Sequence, residues 1–222
     1  MIERSDLGDQ QTIADSKRAF HQQFPYVIAP LYRRIADELL VELHLLSHQQ
    51  QFRPTPLFAV GLRTVFSAFT SGYRPEEHPE LMFSALCSSN GFNADDLRHQ
   101  SNATLEQAKS QDLDGLAQWL PEFRLSEGDH YSRLMAIGLL AVIEEVASKS
   151  QGADKEIDAR TRATEMAEAL NFTSTRVEKD ISLFLSSRER MNQAVELMEE
   201  TLASERRKRE RRQEEVAQGS SS

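Results

Sequence analysis

The chain has 222 residues, a formal net charge of −9 at pH 7 and a single cysteine. A chain of this length buries about 70% of its unfolded surface, which is enough for one hydrophobic core. The acidic balance argues against a body that binds nucleic acid, because phosphate binding needs a concentrated positive face. One cysteine excludes an intramolecular disulfide and a cysteine-rich metal site, which is typical of a reducing compartment.

The N-terminal residues carry no recognisable targeting signal. The stretch Met1–Asp9 is short and acidic, without the apolar core of a secretory signal or the basic character of a transit peptide. The longest apolar run, Leu134–Ile143, has about half of the ~20 residues that a membrane-spanning helix needs. We therefore expect a cytoplasmic protein that does not cross a membrane, with a flexible N-terminus over residues 1–11.

Helical periodicity dominates the rest of the chain, and no alternating strand pattern is present in the sequence. Start and stop signals such as Thr12, Pro30, Gly72 and Pro121 divide the pattern into segments. The predicted helices span 12–20, 30–50, 57–71, 79–89, 93–109, 112–120, 129–149, 155–170 and the region from 173 onward. The sequence thus predicts an all-α protein, a single bundle-like domain over 12–187 followed by a long C-terminal helix.

The predicted helix 30–50 is apolar on more than one side. Most of its apolar residues share one broad face, but Val41 and Leu45 fall on the far side among charged residues. This pattern favours a central helix with neighbours on both sides and with paired charges. The expected structural charge network consists of Arg33, Arg34, Asp37, Glu38 and Glu42.

Two further residues predict how the helices pack. Gly138 lies in the middle of a strongly apolar helix, where it costs about 1 kcal/mol relative to alanine, so another backbone is expected to pack closely there. Cys87 falls on an apolar helix face and is expected to be a small buried hydrophobic residue.

The last helix shows a 3.5-residue hydrophobic repeat. The repeat runs through Val177, Ile181, Phe184, Arg188, Met191, Val195, Met198 and Leu202. It is typical both of an extended helix that packs on its own domain and of a coiled coil that binds a partner or a second copy. We assign 188–212 to a C-terminal coiled-coil helix and 213–222 to a disordered tail.

A basic segment ends this helix. Its six cations are Arg206, Arg207, Lys208, Arg209, Arg211 and Arg212. Nearby glutamates reduce the net charge, so any electrostatic contribution to membrane binding would assist attachment without anchoring the protein. A solvated helix tip and a contact with a membrane or partner both remain open.

Candidate catalytic and metal-binding residues are few. His44 and His48 lie one turn apart, a spacing that can hold a metal, but the H-E-x-x-H pattern is absent. The segment Glu127–His130 is the literal match to the Glu-x-x-His spacing of di-iron bundles. Structural ion pairing is the better interpretation of the carboxylates, and no phosphate loop, nucleophile elbow or dinucleotide motif occurs in the sequence. We therefore predict no catalytic residue, metal or cofactor.

Several segments together resemble the thylakoid formation protein family, also called the photosystem II biogenesis family, of cyanobacteria and plastids. The segments that carry the resemblance are Asp15–Phe20, Tyr32–Leu46, Gly72–Pro75, Phe83–Cys87, Tyr131–Leu139 and Met191–Glu200. None of them is a catalytic signature, but their joint order is specific and extends nearly from end to end.

The resemblance implies a non-catalytic helical factor that supports photosystem II biogenesis and repair and thylakoid membrane organisation. It also implies a link to the stability of the FtsH-type thylakoid protease, for which the protein would be an adaptor or stabiliser. Its partners would be this protease or photosystem II assembly components, and not nucleic acid. Without a transit peptide, a cyanobacterial protein at the cytoplasmic surface of thylakoids is expected. The alternative is a helical protein of the thylakoid surface that binds a metal near His44 and His48, or a pigment or lipid beneath Leu134–Ile143.

Overall fold

The computed structural model describes residues 11–148 and 155–219, and within these ranges all regular elements are helical. The α-helices are α1 (Ile13–Gln23), α2 (Pro30–Ser47), α3 (Pro56–Phe69), α4 (His78–Ser88), α5 (Ala94–Ser110), α6 (Leu113–Trp119), α7 (Arg133–Ala147), α8 (Lys155–Met166) and α9 (Ser174–Gly219). Short 3₁₀ helices follow α6 at Leu120–Phe123 and α8 at Ala167–Leu170. The predicted all-α class is confirmed.

Side-chain caps explain where several helices begin. Thr12 and Asp15 form a reciprocal capping box at the start of α1, and the Asn93 side chain accepts from two backbone amides of α5. Helix α7 begins at Arg133, later than the predicted start at 129, because the Ser132 side chain caps it by accepting from the amide of Leu134. The predicted starts of α1 and α5 therefore agree with the structure to within one residue.

The core forms around α3 and α7, which cross through two glycines. A Cβ atom on Gly61 would lie 1.7 Å from the carbonyl oxygen of Leu134, and one on Gly138 would lie 1.9 Å from that of Leu57. The two backbones are therefore in direct contact, which confirms the expectation for Gly138. Because only hydrogen atoms fit between them, this pair holds the helices of the bundle at close range.

Helix α2 is not the central helix that its sequence pattern suggested. It packs on α1 and α4 on its apolar side, while Leu45 on the opposite side is 60% exposed. The far side of α2 is only partly covered, because Glu42 there is bonded to Arg133 of α7 whereas Leu45 faces solvent. Helix α3, which has Arg63 as its one charged residue, takes the central position with α7.

The chain divides into two units, Met1–Phe184 and Leu185–Ser222. In the first unit the opening turns of α9 are buried, and the ring of Phe184 meets that of Phe69 at 6.2 Å between centroids. The hydrophobic repeat therefore starts as core packing of the globular unit. The division falls slightly before the predicted boundary at 187.

The second unit, taken by itself, consists of the remainder of α9. The helix extends to Gly219, past the predicted end at 212, because residues 213–218 contain neither a glycine nor a proline that would end it. Of the predicted flexible N-terminus 1–11, residues 1–10 lie outside the described residues, as do the predicted loop at 150–154 and the tail residues 220–222. Among the helices that are described, none combines the length and hydropathy needed to cross a bilayer.

Candidate functional site

The charged residues of α2 do not form one network. Arg34 and Glu38 pair across one turn at 2.8 Å, with side chains 85% and 56% exposed, so solvent screens the pair and it contributes little to stability. Arg33 instead donates to the carbonyl oxygen of Ile28 at 3.2 Å. The sequence identified charged side chains with structural contacts, but it did not identify all of their partners.

The other two carboxylates of α2 pair with different helices. Asp37 contacts Lys17 of α1 at 3.2 Å. Glu42 accepts two hydrogen bonds from the guanidinium of Arg133, one of them at 2.9 Å from Nε, and its side chain is only 19% exposed. Burial disfavours the charge on Arg133, but the hydrogen bonds and negative charge of Glu42 outweigh it and raise the arginine pKa. This bidentate pair fixes the start of α7 against α2.

An open groove of about 710 Å³ lies between α2, the segment 130–133 and the first turns of α9. Val41, Leu45 and Leu46 supply its apolar lining. Leu45 is 60% exposed, so the groove presents apolar surface to solvent. The side of α2 that we expected to be covered by a neighbouring helix is thus an accessible surface, which we call the α2 groove.

The opposite wall of the α2 groove is held by a second polar pair. Tyr131 donates its hydroxyl hydrogen to Asp180 at 2.8 Å, and the Arg176 guanidinium lies 4.7 Å from the centre of the tyrosine ring. Burial and the bond to Asp180 both raise the pKa of Tyr131, so the phenol stays protonated and remains a donor. The two walls are therefore fixed by specific side-chain contacts around an apolar floor.

These wall residues come from distant parts of the sequence. Tyr131 begins the segment Tyr131–Leu139, which carried part of the family resemblance, but no sequence pattern singled out Arg176 or Asp180. Contacts between distant elements depend on which faces meet, and helical periodicity alone does not reveal this.

The two histidines of α2 have structural partners. His44 is buried, with its Nδ1 2.9 Å from the hydroxyl of Ser16, and the Nδ1 of His48 lies 2.8 Å from the carbonyl oxygen of His44. The described part of the chain contains no group of three or more potential metal ligands of the His, Cys, Asp or Glu type. Glu127 and His130 precede α7, so no helix places them on a common face.

Cys87 is fully buried in α4, as predicted. Its apolar surroundings raise the pKa of the thiol to about 12. The thiolate is the reactive form of cysteine, so the thiol in the folded protein is a packing group.

The six cations of the basic segment 206–212 are all exposed in the second unit. Lys208 is 3.6 Å from Glu205, and the Arg207 side chain donates to the carbonyl oxygen of Ala203 at 3.3 Å. Leu197 and Leu202 are 66% and 51% exposed on the same helix. This unit thus presents both apolar and basic side chains to solvent.

Comparisons with known proteins agree with this architecture. The family model described as thylakoid formation protein matches residues 12–213. The chain belongs to this family. Protein Thf1 of Synechococcus sp. strain CC9902 is 59% identical over 216 residues, covering 97% of this chain and 100% of that protein. Thf1 of Prochlorococcus marinus strain MIT 9313 is 50% identical over 219 residues, covering 92% of this chain and 89% of the relative.

A solved structure, that of Psb29, is similar over the same length. It superposes with a TM-score of 0.80 at 32% sequence identity and covers 90% of this chain and 99% of its own. Fold and family membership are thus established over nearly the whole chain.

Proposed function

We propose that this family member is a non-catalytic accessory factor in thylakoid formation and in photosystem II biogenesis and repair. In this proposal it acts as an adaptor for, or a stabiliser of, the FtsH-type thylakoid protease. The family description supports the first part of the proposal. The observation that carries the second part is the α2 groove, an accessible apolar surface between fixed charged walls on the globular unit.

The α2 groove has the properties of a surface that binds a protein segment. Its floor includes Leu45, whose exposure would decrease on binding and release water from apolar surface. Its walls are ordered by the Glu42–Arg133 and Tyr131–Asp180 contacts before any partner arrives, which lowers the entropic cost of binding. The groove therefore suits an apolar side chain flanked by polar groups of a partner.

The second unit supports a separate contact. Its described residues form a single helix, so this unit has no hydrophobic core of its own. Leu197, Leu202 and the basic segment 206–212 are exposed along it. In our proposal this helix reaches a second partner near the cytoplasmic surface of the thylakoid, where the six cations add a peripheral electrostatic contact with anionic lipid. Self-association of the helix is a competing use of the same leucines.

Affinity capture from detergent-solubilised thylakoid membranes tests this proposal. The full chain is compared with a chain that ends at Ser187 and with Leu45→Asp in the α2 groove. Leu81→Asp is the matched control, because Leu81 is 46% exposed on α4 and does not line the groove. We expect the full chain, the truncated chain and the control to retain the FtsH-type protease, and Leu45→Asp to lose most of it.

The outcomes separate the two contacts. Retention by the truncated chain would place the protease contact on the globular unit, whereas retention by Leu45→Asp would exclude the α2 groove. If the full chain captures photosystem II assembly components and no protease, the adaptor proposal is wrong. Light scattering of the purified full chain at several concentrations then reports self-association through the second unit.

A further inference from the structure

The segment between α1 and α2 presents the most exposed large hydrophobic side chain among the described residues. Val27 is 86% exposed, and the neighbouring Tyr26 is 46% exposed. Phe24 and Ile28 on either side are 0% and 5% exposed, so both ends of the segment are anchored in the core. Val27 therefore projects from a fixed position and not from a loose chain end.

The ring of Tyr26 packs against one apolar and one polar aromatic side chain. Its ring is 4.1 Å from that of His78 and 5.1 Å from that of Phe24, measured between centroids. These contacts hold the aromatic ring beside Val27 while leaving about half of the residue accessible. An amphipathic ring in such a position is typical of protein surfaces that meet the headgroup layer of a bilayer.

A cavity of about 300 Å³ opens beside this segment. Phe20 and Leu40 give it apolar walls, and Lys17 and Arg33 supply positive charge at the same opening. Arg33 is held by its bond to the Ile28 carbonyl oxygen at 3.2 Å. These side chains thus surround Val27 with both apolar surface and cations on one face.

The positive charge of this face is available to another anion. Lys17 contacts Asp37 at 3.2 Å, but the two side chains are 43% and 49% exposed, and such surface pairs are weak and readily exchanged. Lys17 and Arg33 together outnumber the single carboxylate of Asp37 among the residues that line the cavity. The local charge therefore complements an anionic surface.

We propose that this face contacts an anionic lipid bilayer, with Val27 inserted between headgroups, Tyr26 at headgroup level, and Lys17 and Arg33 against a phosphodiester. The small size of the apolar patch favours a bilayer over a protein partner. A protein interface buries about 800 Å² per partner, whereas shallow insertion needs only one or two apolar side chains with neighbouring cations. The contact is independent of the α2 groove and of the second unit.

Co-sedimentation of the full chain with lipid vesicles tests the proposal. The vesicles are of phosphatidylcholine, with and without phosphatidylglycerol. We expect Val27→Asp to weaken binding to phosphatidylglycerol vesicles by about tenfold, because an aspartate is both polar and repelled by the anionic surface. Leu183→Asp is the matched control. Leu183 is 55% exposed in the globular unit, and its replacement introduces the same charge away from the proposed face.

A second variant reports insertion directly. The native Trp119 is buried, so Val27→Trp adds the fluorescence of a second indole at an exposed position. We expect this emission to shift to shorter wavelength with phosphatidylglycerol vesicles and to remain unshifted with phosphatidylcholine alone.

Three results would overturn the proposal. These are unchanged binding of Val27→Asp, an equal loss of binding in Val27→Asp and Leu183→Asp, or no emission shift for Val27→Trp. A protein in which the six cations of segment 206–212 are replaced by glutamine separates this contact from that of the basic segment. The proposal requires Val27→Asp to weaken vesicle binding in that background as well. Capture of the protease in detergent does not depend on this face, so the two proposals fail separately.

Discussion

Replacing Gly138 by alanine tests whether direct backbone contact between α3 and α7 holds the bundle together. The added methyl carbon would lie 1.9 Å from the carbonyl oxygen of Leu57. A carbonyl oxygen within a helix cannot move aside in the way that the end of a flexible side chain can. The helices must therefore separate, or the backbone of one must distort.

The size of the effect follows from this distance. A C···O separation of about 3.3 Å is the shortest that such contacts normally show, so the helices must move apart by roughly 1.4 Å. A gap of this size removes much of the dispersion energy of the surrounding core side chains. Overpacking of this kind costs roughly 3 kcal/mol, and the higher helix propensity of alanine offsets about 1 kcal/mol. The expected net loss is about 2 kcal/mol in the free energy of unfolding.

Urea unfolding followed by Trp119 fluorescence measures this loss in the globular unit. With a denaturant slope of about 2 kcal/mol per molar urea, the midpoint should fall by about 1 M. Gly115→Ala is the matched control, because the atom nearest to its new methyl group is the end of the flexible Gln111 side chain. If Gly138→Ala unfolds at the same urea concentration as the control, direct backbone contact between α3 and α7 does not hold the bundle together.

Three further changes probe individual contacts. A double-mutant cycle on Glu42 and Arg133 should give a coupling energy of about 1 kcal/mol in urea unfolding, because the pair is bidentate and Glu42 is mostly buried. Burial, followed by the charge of His48, lowers the pKa of His44, so the histidine binds protons more readily in the unfolded chain than in the folded protein. The contribution of His44 to the free energy of unfolding should therefore be fully present above pH 6.5, the ordinary pKa of the imidazole. The free energy of unfolding should decrease as the pH falls below this value, and it should decrease less in His44→Asn. Cys87 should react with a thiol reagent at pH 8 only as fast as the protein opens, because its thiol is buried and its pKa is raised.

Each of these three predictions has a control or an outcome that would contradict it. The exposed pair Arg34–Glu38 should give a much smaller coupling energy, and equal coupling in both cycles would contradict the role of burial. His99→Asn makes the same substitution at an exposed position, and an equal effect of both substitutions would contradict the assignment to His44. Fast labelling of Cys87 in native buffer, with no dependence on urea, would show that the thiol is accessible.

The sequence determined most of the secondary structure, because its signals are local. Capping residues such as Thr12 and Asn93 satisfy helix amides within three residues, and prolines and glycines end helices by their own backbone limits. The hydrophobic positions of each helix follow its period. Gly138 even revealed a close helix contact, since a glycine within an apolar helix is costly unless a neighbour needs the space.

The position of the last helix in the fold required more than its repeat. A 3.5-residue repeat was compatible with core packing and with a coiled coil. The structure buries Val177 and Ile181 in the globular unit, so the repeat begins as core. In the second unit the repeat residues Met191 and Val195 are also buried, whereas Leu202 is 51% exposed.

Only the tertiary structure decided which helices are central and where the candidate surfaces lie. The period of α2 showed two apolar sides, but only packing shows that α3 and α7 occupy the centre and leave Leu45 exposed. The partners of Glu42 and Asp180 lie far away in the sequence, and such contacts depend on which helix faces meet. Local periodicity determines which side of a helix is apolar, whereas the competition among all helices for the core determines which apolar side stays exposed.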